Sequence, residues 1–155
     1  MEVTDVEVTE LPAMRRAYVR ADMSRPGDAW NEISAMPGIP EAMARPDITV
    51  ASAFPTDALT KGQSADLFYD ASLVLPEGAE APAGLPEERS EGGRFVRWGY
   101  TGPYDNMGDA WGAFTSWFAT SGHEAAPGLC FEMYRNDPRD TAPADLRTDL
   151  YIPIA

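Results

Sequence analysis

The tetrapeptide Gly-Asp-Ala-Trp occurs twice in this chain, at Gly27–Trp30 and again 81 positions later at Gly108–Trp111. A repeated tetrapeptide containing tryptophan points to an internal repeat, and a repeat constrains a fold before any single element does. Each copy opens a helical stretch. In the second, Trp111, Phe114, Trp117 and Phe118 fall at i, i+3, i+6 and i+7, one apolar stripe, with Asn106 or Asp109 as its cap and Gly122 as its stop. In the first, Trp30, Ile33 and Met36 recur at threes until Pro37-Gly38 interrupts, so this helix is short or broken.

The surroundings of the two copies also correspond. Residues 14–21 and 94–101 precede them with the alternation and aromatic content of strands. Residues 48–54 and 129–134 follow as apolar strands, and residues 67–76 and 146–153 close each half with a strand stopped by proline. The expectation is an α+β fold of duplicated β-α-β-β units, in one domain over residues 1–155. Repeat one covers about 1–76, a solvated Pro/Gly/Glu-rich linker about 77–93, and repeat two about 94–155. Two antiparallel sheets, each carrying a helix, would leave a central ligand groove between them. Trp111 and Trp117, with Phe114 and Phe118, read as packing between helix and sheet, and so does Trp30.

Composition narrows the chemistry. The net charge is −13, and Lys61 is the only lysine. Such a surface repels phosphate backbones, which argues against direct nucleic-acid binding and suits cationic ligands. Cys130 and His123 each stand alone, so there is neither an intramolecular disulfide nor a Cys/His set for a metal, and no cofactor motif is present. No apolar run approaches the roughly 20 residues that span a bilayer. The acidic N-terminus is unlike a signal peptide, so the expected location is the cytoplasm.

One residue breaks the pattern. Glu132 interrupts the apolar strand Leu129–Tyr134, where the 81-residue offset places Ala51 in the first half. A carboxylate is costly to bury unless it is paired, hydrogen-bonded or protonated. Three readings follow: a solvated strand edge, an ion pair with Arg97 or Arg147, or a carboxylate at the floor of an aromatic pocket awaiting a cationic or polar ligand. The aromatic candidates for such a wall are Tyr134, Tyr104, Trp98, Tyr100 and Tyr69.

The stretches Gly99–Tyr104, Trp117, Phe131–Pro138 and Leu146–Ile154 resemble, in order and spacing, the GyrI-like small-molecule-binding family. That family includes the effector-binding domains of multidrug-responsive transcription regulators. The resemblance implies a duplicated β-α-β-β fold with a central groove, a pocket glutamate at Glu132, and binding of hydrophobic, often cationic or aromatic, compounds. With no DNA-binding segment ahead of the first strand, the chain reads as a stand-alone, acidic xenobiotic- or drug-binding protein. The alternatives are a hydrolase of strained, cyclopropane-bearing electrophiles with Glu132 as catalytic base, and a gyrase-modulating interaction protein with an unidentified protein partner. No membrane association is expected.

Overall fold

The computed structural model describes residues 1–155. Eight strands are interleaved with four helices: β1 (Glu7–Leu11), β2 (Met14–Asp22), α1 (Pro26–Ser34), α2 (Ile39–Met43), β3 (Thr49–Pro55), α3 (Ala58–Lys61), β4 (Phe68–Leu75), β5 (Glu87–Ser90), β6 (Gly93–Thr101), α4 (Met107–Thr120), β7 (Leu129–Tyr134) and β8 (Arg147–Pro153). The six long strands and the helices after both GDAW segments lie where the sequence puts them. Pro26 opens α1, and Ala29 and Ile33 form its buried stripe. Gly38, at φ +82°, takes the left-handed turn that ends this run and starts α2. The aspartates of the two GDAW segments are not caps. Asp28 and Asp109 lie inside the first turns, where a negative charge suits the helix dipole.

The expected pair of sheets is one sheet. All eight strands form a single curled antiparallel sheet in the order β1-β6-β8-β7-β3-β4-β2-β5. The seam is the β3–β7 pair, which aligns Ser52 with Glu132. Outward from it the strands run β7-β8-β6 on one wing and β3-β4-β2 on the other; the first-half wing carries α1, α2 and, between β3 and β4, α3, where the second-half wing carries α4 alone, so the expected β-α-β-β order is not repeated. Backbone pairing at the seam closes the gap in which the sequence placed a groove. The residue facing Glu132 across the seam is Ser52.

The linker is not wholly a solvated connection either. Within it β5 pairs with β2, Met14 opposite Ser90, and Leu85 is buried. At the far edge β1 pairs with β6. The connections into β2 and β6 meet at Gly92, where a Cβ would strike the Leu11 carbonyl and the Ala13 nitrogen, so no larger residue fits.

Register places the side chains. Paired residues of neighbouring strands point to the same face. The row Val19, Ala71, Ser52, Glu132, Leu150 and Trp98 therefore crosses six strands on one side. The buried residues of all four helices pack on this side, in one core with Phe54, Tyr69 and Cys130. The opposite side holds a smaller core of Met14, Ala51, Ala53, Phe95, Phe131, Met133 and Tyr151, enclosed by the curl of the sheet. There Arg16 is wholly buried, donating to Asp70 Oδ2 at 3.3 Å, Ser72 Oγ at 3.0 Å and Ser90 Oγ at 2.8 Å. Arg20 completes the pairing of Asp70 at 2.7 and 2.9 Å.

Candidate functional site

Glu132 lies on β7, in the middle of the sheet and on its helix-covered side. It is not at an edge, and it is 5% exposed. Its carboxylate accepts three hydrogen bonds from neutral donors. Ser52 Oγ donates to Oε1 at 2.7 Å, Tyr134 Oη to Oε1 at 3.2 Å, and Trp111 Nε1 to Oε2 at 3.2 Å. No arginine reaches it. Arg97 is on the opposite face with Asp149 and Glu7, and Arg147 forms no ion pair. Burial raises the Glu132 pKa above the ordinary 4.5, against the three donors, which lower it.

Two cavities meet at this residue. The larger, about 890 Å³, is bounded by Trp30 and Ser34 of α1, Pro40 and Met43 of α2, and the loop after β7. The break at Pro37-Gly38 turns α2 over its rim. The smaller, about 460 Å³, lies between α1, α3 and α4 and is bounded by Met23, Phe54, Leu59 and Trp111. Tyr69, Met107 and Glu132 line both.

Aromatic side chains surround the carboxylate. Trp30 and Tyr134 meet edge to face with centroids 5.7 Å apart, and Tyr104 lies 5.4 Å from Tyr134. Trp30 Nε1 donates to Tyr69 Oη at 2.8 Å. Burial, then the charge of Glu132, pushes the Tyr69 hydroxyl up to about 12, so it stays protonated at neutral pH. The same two causes raise Tyr134; in Tyr104 burial is again the larger, followed by Asp137 and Glu132. The arginines at the mouth are neutralised locally: Arg45 by Asp47, Arg135 by Asp149 and Arg139 by Asp137, each at 2.7 Å. The site therefore offers a buried acceptor carboxylate, π faces and no opposing cation, an arrangement that favours a lipophilic cation.

Of the residues singled out in the sequence, Glu132, Tyr134, Tyr104 and Tyr69 line the larger cavity. Trp98 and Tyr100 do not. They share the face of Glu132 but stand on β6, beyond β8, where Trp98 packs 5.7 Å from Phe114 of α4. Tyr100 Oη donates to the Pro103 carbonyl at 3.1 Å and anchors the loop. Conversely, the two GDAW tryptophans, expected in the core, are half-buried and line the cavities. Their hydrophobic faces pack as expected, Trp111 against Phe54 at 5.0 Å, but their N–H edges point at Tyr69 and Glu132. The signal was present: a buried indole N–H needs an acceptor, and Glu132 was the unexplained one. Ser52 and Met107 carried no comparable signal.

The chain matches the family model described as the GyrI-like small molecule binding domain over residues 4–155. No curated protein matches it in sequence. Among solved structures, the EcmrR C-terminal domain is 14% identical with a TM-score of 0.71, covering 97% of each chain. SAV2435 bound to tetraphenylphosphonium is 10% identical with a TM-score of 0.70, over 98% of this chain and 94% of that one. A hydrolase encoded by lin2189 from Listeria innocua is 15% identical with a TM-score of 0.56, over 97% and 91%. At these identities the likeness is one of fold. No helix is long and apolar enough to cross a membrane.

Proposed function

The chain belongs to the GyrI-like small-molecule-binding family, and from that premise we propose that it binds hydrophobic cations, with the positive centre at Glu132 and the apolar groups on the surrounding aromatic rings. The carrying observation is that Glu132 is buried among three neutral donors with no cationic partner, yet opens into both cavities. Such a carboxylate is an incomplete ion pair that a ligand cation completes. SAV2435, of the same fold, is bound to tetraphenylphosphonium, a lipophilic cation, which supports the reading.

The test is titration of wild type and Glu132→Gln with tetraphenylphosphonium and with a neutral aromatic ligand of similar size. The substitution keeps shape and removes charge. The cation should lose about 1–3 kcal/mol, the range of a charge-assisted contact, and the neutral ligand much less. Equal losses for both ligands would refute the charge role.

A second reading is hydrolysis of strained electrophiles, with Glu132 as general base. The raised pKa of Glu132 favours it, because a base needs affinity for the proton it takes. Against it, both carboxylate oxygens are already engaged by donors, and no second carboxylate lines the junction of the cavities. Turnover of such a substrate by wild type and its loss in Glu132→Gln would establish it.

A further inference from the structure

The smaller cavity is half-open to solvent, and two residues without side chains, both exposed, stand along one side of it. On α4, Gly108, Trp111, Gly112 and Thr115 fall at i, i+3, i+4 and i+7, and all four line it. The sheet-facing stripe of the same helix is separate, with Ala110, Phe114 and Phe118 buried. A Cβ built at Gly108 or at Gly112 meets nothing within 4 Å. Neither glycine has a positive φ, so neither is there for its backbone conformation. Within a helix, glycine is less favourable than alanine. Nothing in the protein therefore requires glycine at these positions, and the helix is weaker for Gly112 in its interior. What the two residues leave is an open side to the groove that Trp111 and Glu132 also line.

The two cavities also differ in lining. The larger has tyrosines and a polar mouth that includes Asn136 and Asp137. The smaller is lined by Met23, Phe54, Leu59, Met107 and the Trp111 ring together with Gln63 and Thr115, and Glu132 is its only ionisable group apart from the Tyr69 hydroxyl. A half-open groove with aromatic and aliphatic walls, joined to a buried carboxylate, suits a hydrophobic group attached directly to a cationic centre.

We propose that the smaller cavity is a second subsite, which takes one hydrophobic arm of the cation held at Glu132 while the other arms occupy the larger cavity, and that Gly108 and Gly112 set the size of that arm. This rests on the reading of Glu132 as the cation site. It makes the ligand class a cation carrying at least two bulky arms, not a small ammonium ion with one.

The experiment compares tetraphenylphosphonium, with four aryl arms, and benzyltrimethylammonium, with one, against wild type, Gly112→Ala and Gly112→Leu. Wild type should bind tetraphenylphosphonium much the more tightly of the two. Gly112→Leu, which places a side chain along the groove, should weaken tetraphenylphosphonium by roughly tenfold or more and change benzyltrimethylammonium by less than about twofold; Gly112→Ala should fall between. Melting temperatures of both variants should stay level or rise, because each adds a better helix former in open space. An unchanged affinity of Gly112→Leu for tetraphenylphosphonium overturns the subsite and leaves the cation site standing. Equal weakening of both probes also overturns it, since the leucine would then be acting on Glu132 itself. If wild type binds neither cation, the cation site fails and the subsite with it.

Discussion

Cation binding at Glu132 should be linked to protons. The empty protein holds this carboxyl with a pKa raised above 4.5, chiefly by burial. The folded state therefore takes up a proton more readily than the unfolded chain does. Between the ordinary and the raised value, the folded state holds more protons, so stability falls as pH rises through that window and levels off above it. The steepest slope for one such group is about 1.4 kcal/mol per pH unit. A cation bound against the carboxylate favours its ionised form. Its affinity should therefore rise with pH through the same window, by up to about tenfold per unit, and reach a plateau above the raised pKa. Calorimetric titration of tetraphenylphosphonium in two buffers of different ionisation enthalpy counts the protons released. The count should approach one below the raised pKa and fall to zero on the plateau. Glu132→Gln should bind with no proton release, and its affinity should be level with pH. A wild-type affinity that does not rise with pH above the ordinary carboxyl value of 4.5, or a pH dependence that survives in Glu132→Gln, would refute the reasoning.

Two further substitutions test the surroundings. Trp111→Phe keeps a ring against Phe54 but removes the donor to Glu132 Oε2; at pH values where Glu132 is ionised it should cost about 1.5–3 kcal/mol in chemical denaturation, the worth of a hydrogen bond to a charge, and less once the group is protonated. A loss independent of pH would make Trp111 a packing residue only. Asp70→Ala leaves the buried Arg16 guanidinium with only the partly exposed Glu88 as a carboxylate partner and should cost on the order of 3–5 kcal/mol while cation affinity at the other face holds; a loss below about 1 kcal/mol, the worth of a surface pair, would mean that Ser72, Ser90 and Glu88 suffice.

The strands that sequence made visible are the buried ones: β2 and β6 show alternation and aromatic content, and β3, β4, β7 and β8, buried on both faces, show apolar runs. β1 and β5 lie at the edges, and their stretches Glu-Val-Thr-Glu-Leu and Glu-Glu-Arg-Ser are largely exposed, so no apolar period marked them. Charged residues on short edge strands are also how sheets avoid pairing with other chains. Alternation told which side of a strand a residue faces. It could not tell which strand lies next to which, or where on that side a helix rests. Trp98 and Tyr100 were misplaced for that reason: they face the correct side, but under α4. Glu132 was legible because a carboxylate in an apolar strand demands an explanation wherever the strand lies.

The location of the site then follows from the topology. α1 packs on β2 and β4, the outer strands of one wing. α4 sets Phe114 on Trp98 of β6, the corresponding strand of the other. Between them the seam strands β3 and β7 are spanned only by what the helices project inward, and each helix projects the tryptophan of its GDAW segment. Trp30 reaches Tyr69 from one side, Trp111 reaches Glu132 from the other, and the cavities lie on either side of that bridge. Ser52 and Glu132 face each other across the seam itself, so the one buried carboxylate without a cationic partner stands where the helix cover is thinnest. A groove between two sheets would have needed a gap in backbone pairing. One continuous sheet with a gap in its helix layer provides a floor of paired strands instead, and the repeated tryptophans mark the two edges of that gap.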